Sequence, residues 1–324
     1  MTKAIRIHKT GAPSVMKWEE VEIGRPKTGE VRLKQTAVGL NYIDTYHRVG
    51  MYPLPLPLTL GMEGAGVVAA CGRGVTGLKV GDRVAYAGAP IGSYAEERLM
   101  PAARLVKIPR GISDVQAAGM MLQGMTARYL LRSTYRVKAG DTILVHAAAG
   151  GVGLIMCQWA KHLGATVIGT VGTKKKAALA RRHGCDHAIV YTEQDFVARV
   201  RRITKGEMLP VVYDSIGKDT FPASLDCLRP LGMFVSFGSA SGPVPPVPVG
   251  LLTQKGSLYM TRPTMNDHVT SREGLVKCAR DLFSVVRSGA VKIEINQTYA
   301  LKDAARAHRD LEARRTTGST VLIP

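Results

Sequence analysis

Acidic residues are scarce in this sequence, and over one long stretch, between Asp141 and Asp186, there are none. In all, 25 acidic side chains stand against 44 basic ones, a formal net charge of +19. That balance makes an anionic partner plausible, whether nucleic acid, a phosphorylated cofactor or only counter-ions around a solvated face. Aromatics are also few, at 6%. The basic clusters at 174–182, 199–205 and 306–315 contain none of them, which excludes a stacking platform for single-stranded nucleic acid. No RNP, KH or zinc-knuckle motif is present, so binding to RNA stays an unfavoured alternative. Five cysteines, Cys71, Cys157, Cys185, Cys227 and Cys278, form no CxxC pair. Their number and spacing exclude a disulfide framework and a four-cysteine zinc lobe, and point to a reducing, cytoplasmic compartment. In that compartment the sequon at Asn296 carries no meaning. The start lacks the apolar core of a secretory signal, and no apolar run is long enough to span a bilayer. No lipidation or peroxisomal signal ends the chain, and no internal repeat is found.

What is present falls into two rhythms. Residues 1–115 are rich in short alternating or β-branched runs bounded by Gly and Pro, among them "EVRLKQTAVGL" and "EGAGVVAACG". The prolines of "RVGMYPLPLPLTLG" exclude a central strand there and predict a loop. From about residue 116 the pattern changes. One helical stretch, "DVQAAGMMLQGMTARYLLRSTY", opens behind Asp114 as a cap. Strands are predicted at 142–147, 166–171, 187–191, 210–215, 233–238 and 257–261, the earlier ones separated by helices. Near-continuous apolar strands alternating with helices indicate a parallel sheet covered on both faces. Six of them complete a doubly wound dinucleotide-binding sheet. A helix at 271–288, a strand near 292–299, a helix at 302–314 and the final strand "STVLIP" follow. The fold class is therefore α/β, a Rossmann doubly wound sheet (116–288) with a β-rich domain built from 1–115 and 289–324.

The first strand of the series runs into "HAAAGGVG". Ala148, Gly150 and Gly153 occupy the spacing of G-x-G-x-x-G, with alanine in the first place. Gly150 and Gly151 permit the tight turn and let backbone approach a pyrophosphate, and Gly153 allows the helix to pack on the strand. About 20 residues further on, an acid would hold the ribose 2′-hydroxyl of NAD. Here the second strand ends in Lys174, Lys175 and Lys176 instead. Lysines attract a 2′-phosphate that a carboxylate would repel, and their charge is unfavourable for a helix start without a ligand. The expected cofactor is NADPH.

These residues carry a resemblance. The segment "GDTILVHAAAGGVGLIMCQWAK" is similar to the zinc-independent quinone oxidoreductases, the zeta-crystallin-like branch of the medium-chain dehydrogenase/reductases, and to their bacterial NADPH-dependent members in particular. "GLNYIDTYHRVGMYP", "GMEGAGVV", "VGDRVAY", "VVYDSIG", "VSFGSASG" and "QKGSLYMTRP" extend the resemblance over nearly the whole chain. It implies a GroES-like catalytic domain made from both chain ends, a cleft where nicotinamide and quinone meet, and a homodimer joined through strand 257–261. It also implies a set of cofactor contacts. Asn41, Tyr42, Ile43, Asp44, Thr45, Tyr46, Thr126 and Tyr129 would lie near the nicotinamide, and Gly150, Gly151 and Val152 at the pyrophosphate. Gly172, Thr173, Lys176 and Tyr191 would lie at the adenosine phosphate, with Lys176 ranked above its two neighbours. Ser215, Phe237, Gly238, Ser239, Arg262 and Arg314 complete the set.

Zinc-dependent alcohol dehydrogenases of the same superfamily need an early Cys and a His beside the "GxE" glutamate. This chain has "GLNYID" and Met62 at those places, and no HExxH. The cluster "HGCDH", with His183, Cys185 and His187, lies on a turn into a strand, where alternation sends side chains apart. No metal is therefore expected. A quinone needs no Lewis acid, because reduction makes its ring aromatic; an enone or enal is the alternative acceptor. Tyr46, Tyr52, Asn41 and Thr126 are the expected catalytic residues, with Arg262 beside them. The phenols would donate hydrogen bonds to the developing hydroquinone oxygen.

Overall fold

In the computed structural model, which describes all 324 residues, the alternation of apolar strands and helices resolves into a parallel sheet. Its strand order is His187–Val190, Thr166–Val171, Thr142–Val145, Leu209–Asp214, Leu228–Ser236 and Tyr259–Thr261. Every pairing in it is parallel, and the order is the 3-2-1-4-5-6 of a doubly wound sheet. Leu144, Ile168, Ile189, Val212 and Phe234 form its buried middle, packed with Val200 and Leu225 from the crossovers. Burial on both faces is why these strands read as unbroken apolar runs.

The chain divides into two units. This sheet lies in the unit made of Thr126–His268 and Ser288–Lys292. The other comprises Met1–Met125, Val269–Arg287 and Ile293–Pro324. Its main sheet runs Ile295–Ala300, Ser319–Ile323, Glu30–Leu40, Glu63–Cys71, Arg83–Ala87 and Val106–Lys107, with Glu97–Pro101 also paired to Glu30–Leu40. A second sheet joins Lys17–Val21, Thr2–Ile7 and Leu58–Thr59. The chain's last strand thus pairs with residues near its start, Val321 opposite Gly39.

Several features differ from the expected layout. Residues 116–125, expected with the parallel sheet, group with the β-rich unit. The helix Arg272–Arg287 groups with the β-rich unit, whereas the sequence reading placed it in the second domain. Its buried stripe includes Leu275, Cys278, Ala279 and Leu282, and Arg272 donates to the carbonyls of Ala103 and Leu105. The helical stretch expected behind Asp114 is capped instead by Ser113, whose hydroxyl accepts the Gln116 N–H, and it is broken at Gly119 into Asp114–Ala118 and Met121–Tyr129. A Cβ at Gly119 would lie 2.4 Å from Ile295 Cδ1, so the break lets the chain pass close to the strand Ile295–Ala300.

Candidate active site

The side chains expected at the site fall into two groups, one in each unit. In the unit with the parallel sheet, Thr142–Val145 leads to His146. Its ring bonds the hydroxyls of Thr170 at 2.8 Å and Ser224 at 2.9 Å. Burial lowers its pKa and keeps the imidazole neutral. Ala147 follows at φ 53°, a left-handed conformation that non-glycine residues seldom adopt. That kink delivers the chain into the helix Gly151–His162, with Gly150 at its N-cap. No side chain caps this end and no acid lies in its first turn, which leaves its N–H groups and positive dipole end for an anion. A Cβ at Gly153 would lie 2.3 Å from the Ala147 carbonyl oxygen and 2.8 Å from Ala148 Cα. Gly153→Ala should therefore push helix from strand at a cost of ~1–3 kcal/mol and weaken dinucleotide binding. A urea-unfolding midpoint and an NADPH titration check this; no change in either would remove the close-packing role.

At the end of Thr166–Val171, Thr173 caps the helix Lys174–Arg182 by accepting the Lys176 N–H at 3.2 Å. Lys174 and Lys175 are exposed and Lys176 is half-buried. Lys174 pairs with Glu193 at 3.5 Å, an acid that reaches this end from beyond the neighbouring strand. Tyr191 stands over Gly172, where a Cβ would lie 3.0 Å from its phenol oxygen. Arg262 donates to Ser236 Oγ, the Gly238 carbonyl and Ser239 Oγ, at 3.0–3.3 Å. A Cβ at Gly238 would come within 2.5 Å of the Ser215 carbonyl oxygen. Ser215, Phe237, Gly238, Ser239 and Arg262 thus gather at the C-terminal ends of three strands, where ligands bind in such sheets. Thr126 is half-buried, and Tyr129 stacks on His268 with ring centroids 4.5 Å apart. One uncapped helix N-terminus, glycines where backbone must come close, and a half-buried lysine fit a dinucleotide with an extra phosphate.

In the β-rich unit the helix Tyr42–Val49 carries the second group, between Asn41 and a left-handed Gly50 at φ 81°. Tyr42 and Tyr46, one turn apart, have ring centroids 5.5 Å apart, and Tyr52 meets Tyr46 edge-on at 5.5 Å. Tyr46 is buried, Tyr42 and Ile43 are half-buried, and Tyr52 is exposed. Burial, and next the Glu312 carboxylate, raise the Tyr42 pKa. Arg314 lies exposed past the helix Ala304–Glu312, with φ 57°.

The other face of the Tyr42 helix is polar yet buried. Asp44 accepts from the Asn41 N–H and from the Tyr94 hydroxyl, both at 2.9 Å. Tyr94 lies 3.0 Å from His308 Nε2, and Arg48 lies 3.2 Å from His308 Nδ1. Arg48, 1% exposed, forms a two-pronged pair with Glu312 at 2.6 and 3.0 Å. Arginine only donates, so His308 Nδ1 is the acceptor and Nε2–H faces Tyr94. Burial pushes His308 down to about 3, which keeps it neutral.

Asn41 lies 2.6 Å from Glu63, a fully buried carboxyl whose other oxygen accepts the Leu122 N–H at 2.8 Å. Burial raises Glu63 to about 8 and Asp44 to about 7. Both folded values exceed the unfolded ones, so the folded chain binds more protons across this window. Stability is then fully present at low pH and falls as pH rises from the ordinary carboxylate range to about 8. The sequence reading named Asn41 and Asp44. It did not find Glu63, Tyr94, His308 or Arg48; the one available signal was an acid inside the apolar run "GMEGAGVV".

No group of three or more His, Cys, Asp or Glu side chains is placed to hold a metal ion. In "HGCDH", His183 Nδ1 bonds the Leu179 carbonyl at 2.8 Å, Cys185 faces the Val167 carbonyl, and Asp186 pairs with Lys161 at 2.5 Å.

A Rossmann-type sheet with phosphate-ready turns, in one chain with a β-rich unit that bears a buried "GxE" glutamate, defines a medium-chain dehydrogenase/reductase. Residues 27–110 match the alcohol dehydrogenase GroES-like domain and residues 151–278 the zinc-binding dehydrogenase family. The residues present do not fit the ion in that second description, since an amide and a thioether, Asn41 and Met62, flank Glu63. The chain belongs to the quinone oxidoreductases of this superfamily. It is 53% identical to the quinone oxidoreductase of Pseudomonas aeruginosa over the full length of both chains. It is 49% identical to a 2-haloacrylate reductase of a Burkholderia species, covering 100% of this chain and 99% of the relative. The crystal structure of Escherichia coli quinone oxidoreductase complexed with NADPH superimposes with a TM-score of 0.98 at 48% identity, covering 99% of this chain and 100% of that one.

Proposed function

We propose that this chain reduces quinones with NADPH and without a metal ion. The observation that carries the reading is the Tyr46–Tyr52 pair, with Tyr46 on the helix that Asn41 caps: phenol donors with no metal-ligating set of side chains beside them. The relatives' names support the quinone, and the half-buried Lys176, in a turn whose own sequence holds no acid, supports the 2′-phosphate. NADPH, when bound, supplies the reducing equivalents. The chain's own residues position and solvate. Gly150, Gly151 and Val152 hold the pyrophosphate at the helix start, and Gly172, Thr173, Lys176 and Tyr191 hold the adenosine phosphate. Tyr46 and Tyr52 donate to the oxygen on which charge develops, and the mostly buried Tyr46 keeps water from one side of the acceptor. Solvent delivers the proton.

Tyr46→Phe and Tyr52→Phe should each lower kcat with 1,4-benzoquinones about tenfold, as expected for one lost, partly solvated donor. Unchanged turnover in both would remove the phenols from the mechanism. The reading itself is tested by NADPH oxidation with a panel of benzoquinones and 2-alkenals. Preference for the alkenals, or no turnover with any quinone, would overturn it in favour of an activated-alkene reductase, the reading that the 2-haloacrylate reductase relative favours.

Two copies are also proposed to pair through Tyr259–Thr261. That strand ends the sheet order, and Tyr259 is 58% exposed. Five free cysteines, four of them buried, support a cytoplasmic setting.

A further inference from the structure

Behind Asn41 runs a line of groups that the proposed reaction does not use. Glu63 Oε2 lies 2.6 Å from the Asn41 amide, and Asn41 lies 3.3 Å from the Gln123 amide. Gln123 lies 2.6 Å from Ser319 Oγ, which lies 2.6 Å from the Gly119 carbonyl oxygen. All four side chains are buried. A hydroxyl has one proton, and a backbone carbonyl has none. Consider Glu63 ionised. Asn41 must then turn its N–H to the carboxylate and its oxygen to Gln123. Gln123 in turn gives its N–H to Asn41 and presents its oxygen to Ser319. The Ser319 proton can satisfy either the Gln123 oxygen or the Gly119 carbonyl. The other contact is then two oxygens at 2.6 Å with no hydrogen between them.

Turning both amides removes the conflict. Ser319 donates to Gly119, Gln123 donates to Ser319, and Asn41 donates to Gln123. Asn41 Oδ1 then faces Glu63 and needs a donor, which only a protonated carboxyl supplies. Four contacts receive four hydrogens in this arrangement and only three in the other. A buried unbridged oxygen pair is costly, so the complete arrangement wins.

We propose that Glu63 carries a proton in the folded protein, and that this proton fixes the direction of the Asn41 amide. Glu63 is then a positioning residue for the quinone reduction proposed above, on which its catalytic consequence rests. With the proton present, the remaining Asn41 N–H lies on the Gln123 side. When the proton leaves, the amide reverses and that donor moves to the Glu63 side. The titratable groups facing Glu63 are few. Asp44 approaches from the Tyr42 helix, and Tyr94 from the loop before Glu97–Pro101. Its strand partners are Gly39 and Ala87, and the helix Met121–Tyr129 offers it backbone N–H groups. No cation compensates it. The raised value of about 8 accords with the geometry.

Infrared difference spectroscopy of the Asp44→Asn variant, in which asparagine keeps an acceptor for the Asn41 N–H, tests the proton without reference to activity. A protonated-carboxyl band is expected at about pH 6, disappearing as pH rises, at a lower pH than in wild type because the Asp44 charge that helps raise Glu63 is gone, and absent when Glu63→Gln is added. An ionised Glu63 at about pH 6 would overturn the proposal, whether or not any quinone is reduced. The second arm is the pH profile of kcat/KM with a quinone. Glutamine mimics the neutral acid, so Glu63→Gln should keep its rate where wild type loses about tenfold per pH unit above its midpoint. Parallel profiles for the two proteins would overturn the positioning role even with the band present. If no quinone is turned over, the functional reading fails separately and the band still decides the proton.

Discussion

Lys176→Ala should cut the preference for NADPH over NADH by roughly 10- to 100-fold, with NADH binding changed less than about threefold. The figure follows from the worth of one charge-assisted hydrogen bond, about 1.5–3 kcal/mol, at ~1.4 kcal/mol per factor of ten. The gross attraction of a lysine and a phosphate charge at ~4 Å is larger, roughly 4 kcal/mol at an effective dielectric near 20, and desolvation removes part of it. Lys176 is the half-buried member of its trio and its backbone is fixed by the Thr173 cap. Lys174 is exposed and paired with Glu193, and Lys175 is exposed. Lys174→Ala and Lys175→Ala should therefore shift the preference by no more than about threefold, an amount that added salt erases. Dissociation constants for both cofactors, measured by quenching or calorimetry at two ionic strengths, decide it. An unchanged ratio in Lys176→Ala would remove the 2′-phosphate role.

The parts of this site that could be read from the sequence are those in which local chemistry is decisive. The turn at Gly150–Gly153 needs residues without side chains at set intervals, and the lysine turn after Val171 stands out by the acids its sequence omits. The six strands could be read because burial on both faces leaves only apolar residues. The family resemblance ranks Lys176 above its neighbours; its half-burial and the pairing of Lys174 with Glu193 are visible only in the fold. Glu193 reaches Lys174 only because Val190 ends beside Val171. The helix Arg272–Arg287 shows the same limit. Amphipathic spacing says which face is covered but not which unit covers it. The buried network of the β-rich unit was the least accessible. Its partners lie far apart along the chain, 50 residues for Asp44 and Tyr94 and 264 for Arg48 and Glu312. Charged residues are usually solvated, so nothing local marks these as interior.

That network underlies the stability prediction with the largest effect. Arg48→Met should lower the stability of the β-rich unit by ~3–5 kcal/mol, or roughly 6–20 °C in its melting midpoint. Methionine replaces the aliphatic stem but none of the donors. The Gly11 carbonyl, which accepts from Arg48 Nε at 3.0 Å, loses its partner, as does His308 Nδ1. His308 is fully buried and water cannot replace the arginine there without opening the fold. Glu312 keeps a third of its side-chain surface exposed, so it can rehydrate and contributes the smaller share of the loss. Arg48→Met/Glu312→Leu should then recover only a part, because the His308 defect persists. Full recovery in the double variant would instead place the stability in the ion pair alone, and a loss under about 0.5 kcal/mol in Arg48→Met, the range of ordinary surface changes, would show that the network anchors nothing. The functional consequence has its own sign. Arg48 sits on the helix that carries Tyr46 and follows Asn41, and its loss frees the chain His308–Tyr94–Asp44 that holds the helix start. Measured well below its melting midpoint, the variant should show a lower kcat with quinone while its affinity for the adenosine end of NADPH, for which Lys176 and Tyr191 of the other unit are proposed, stays the same.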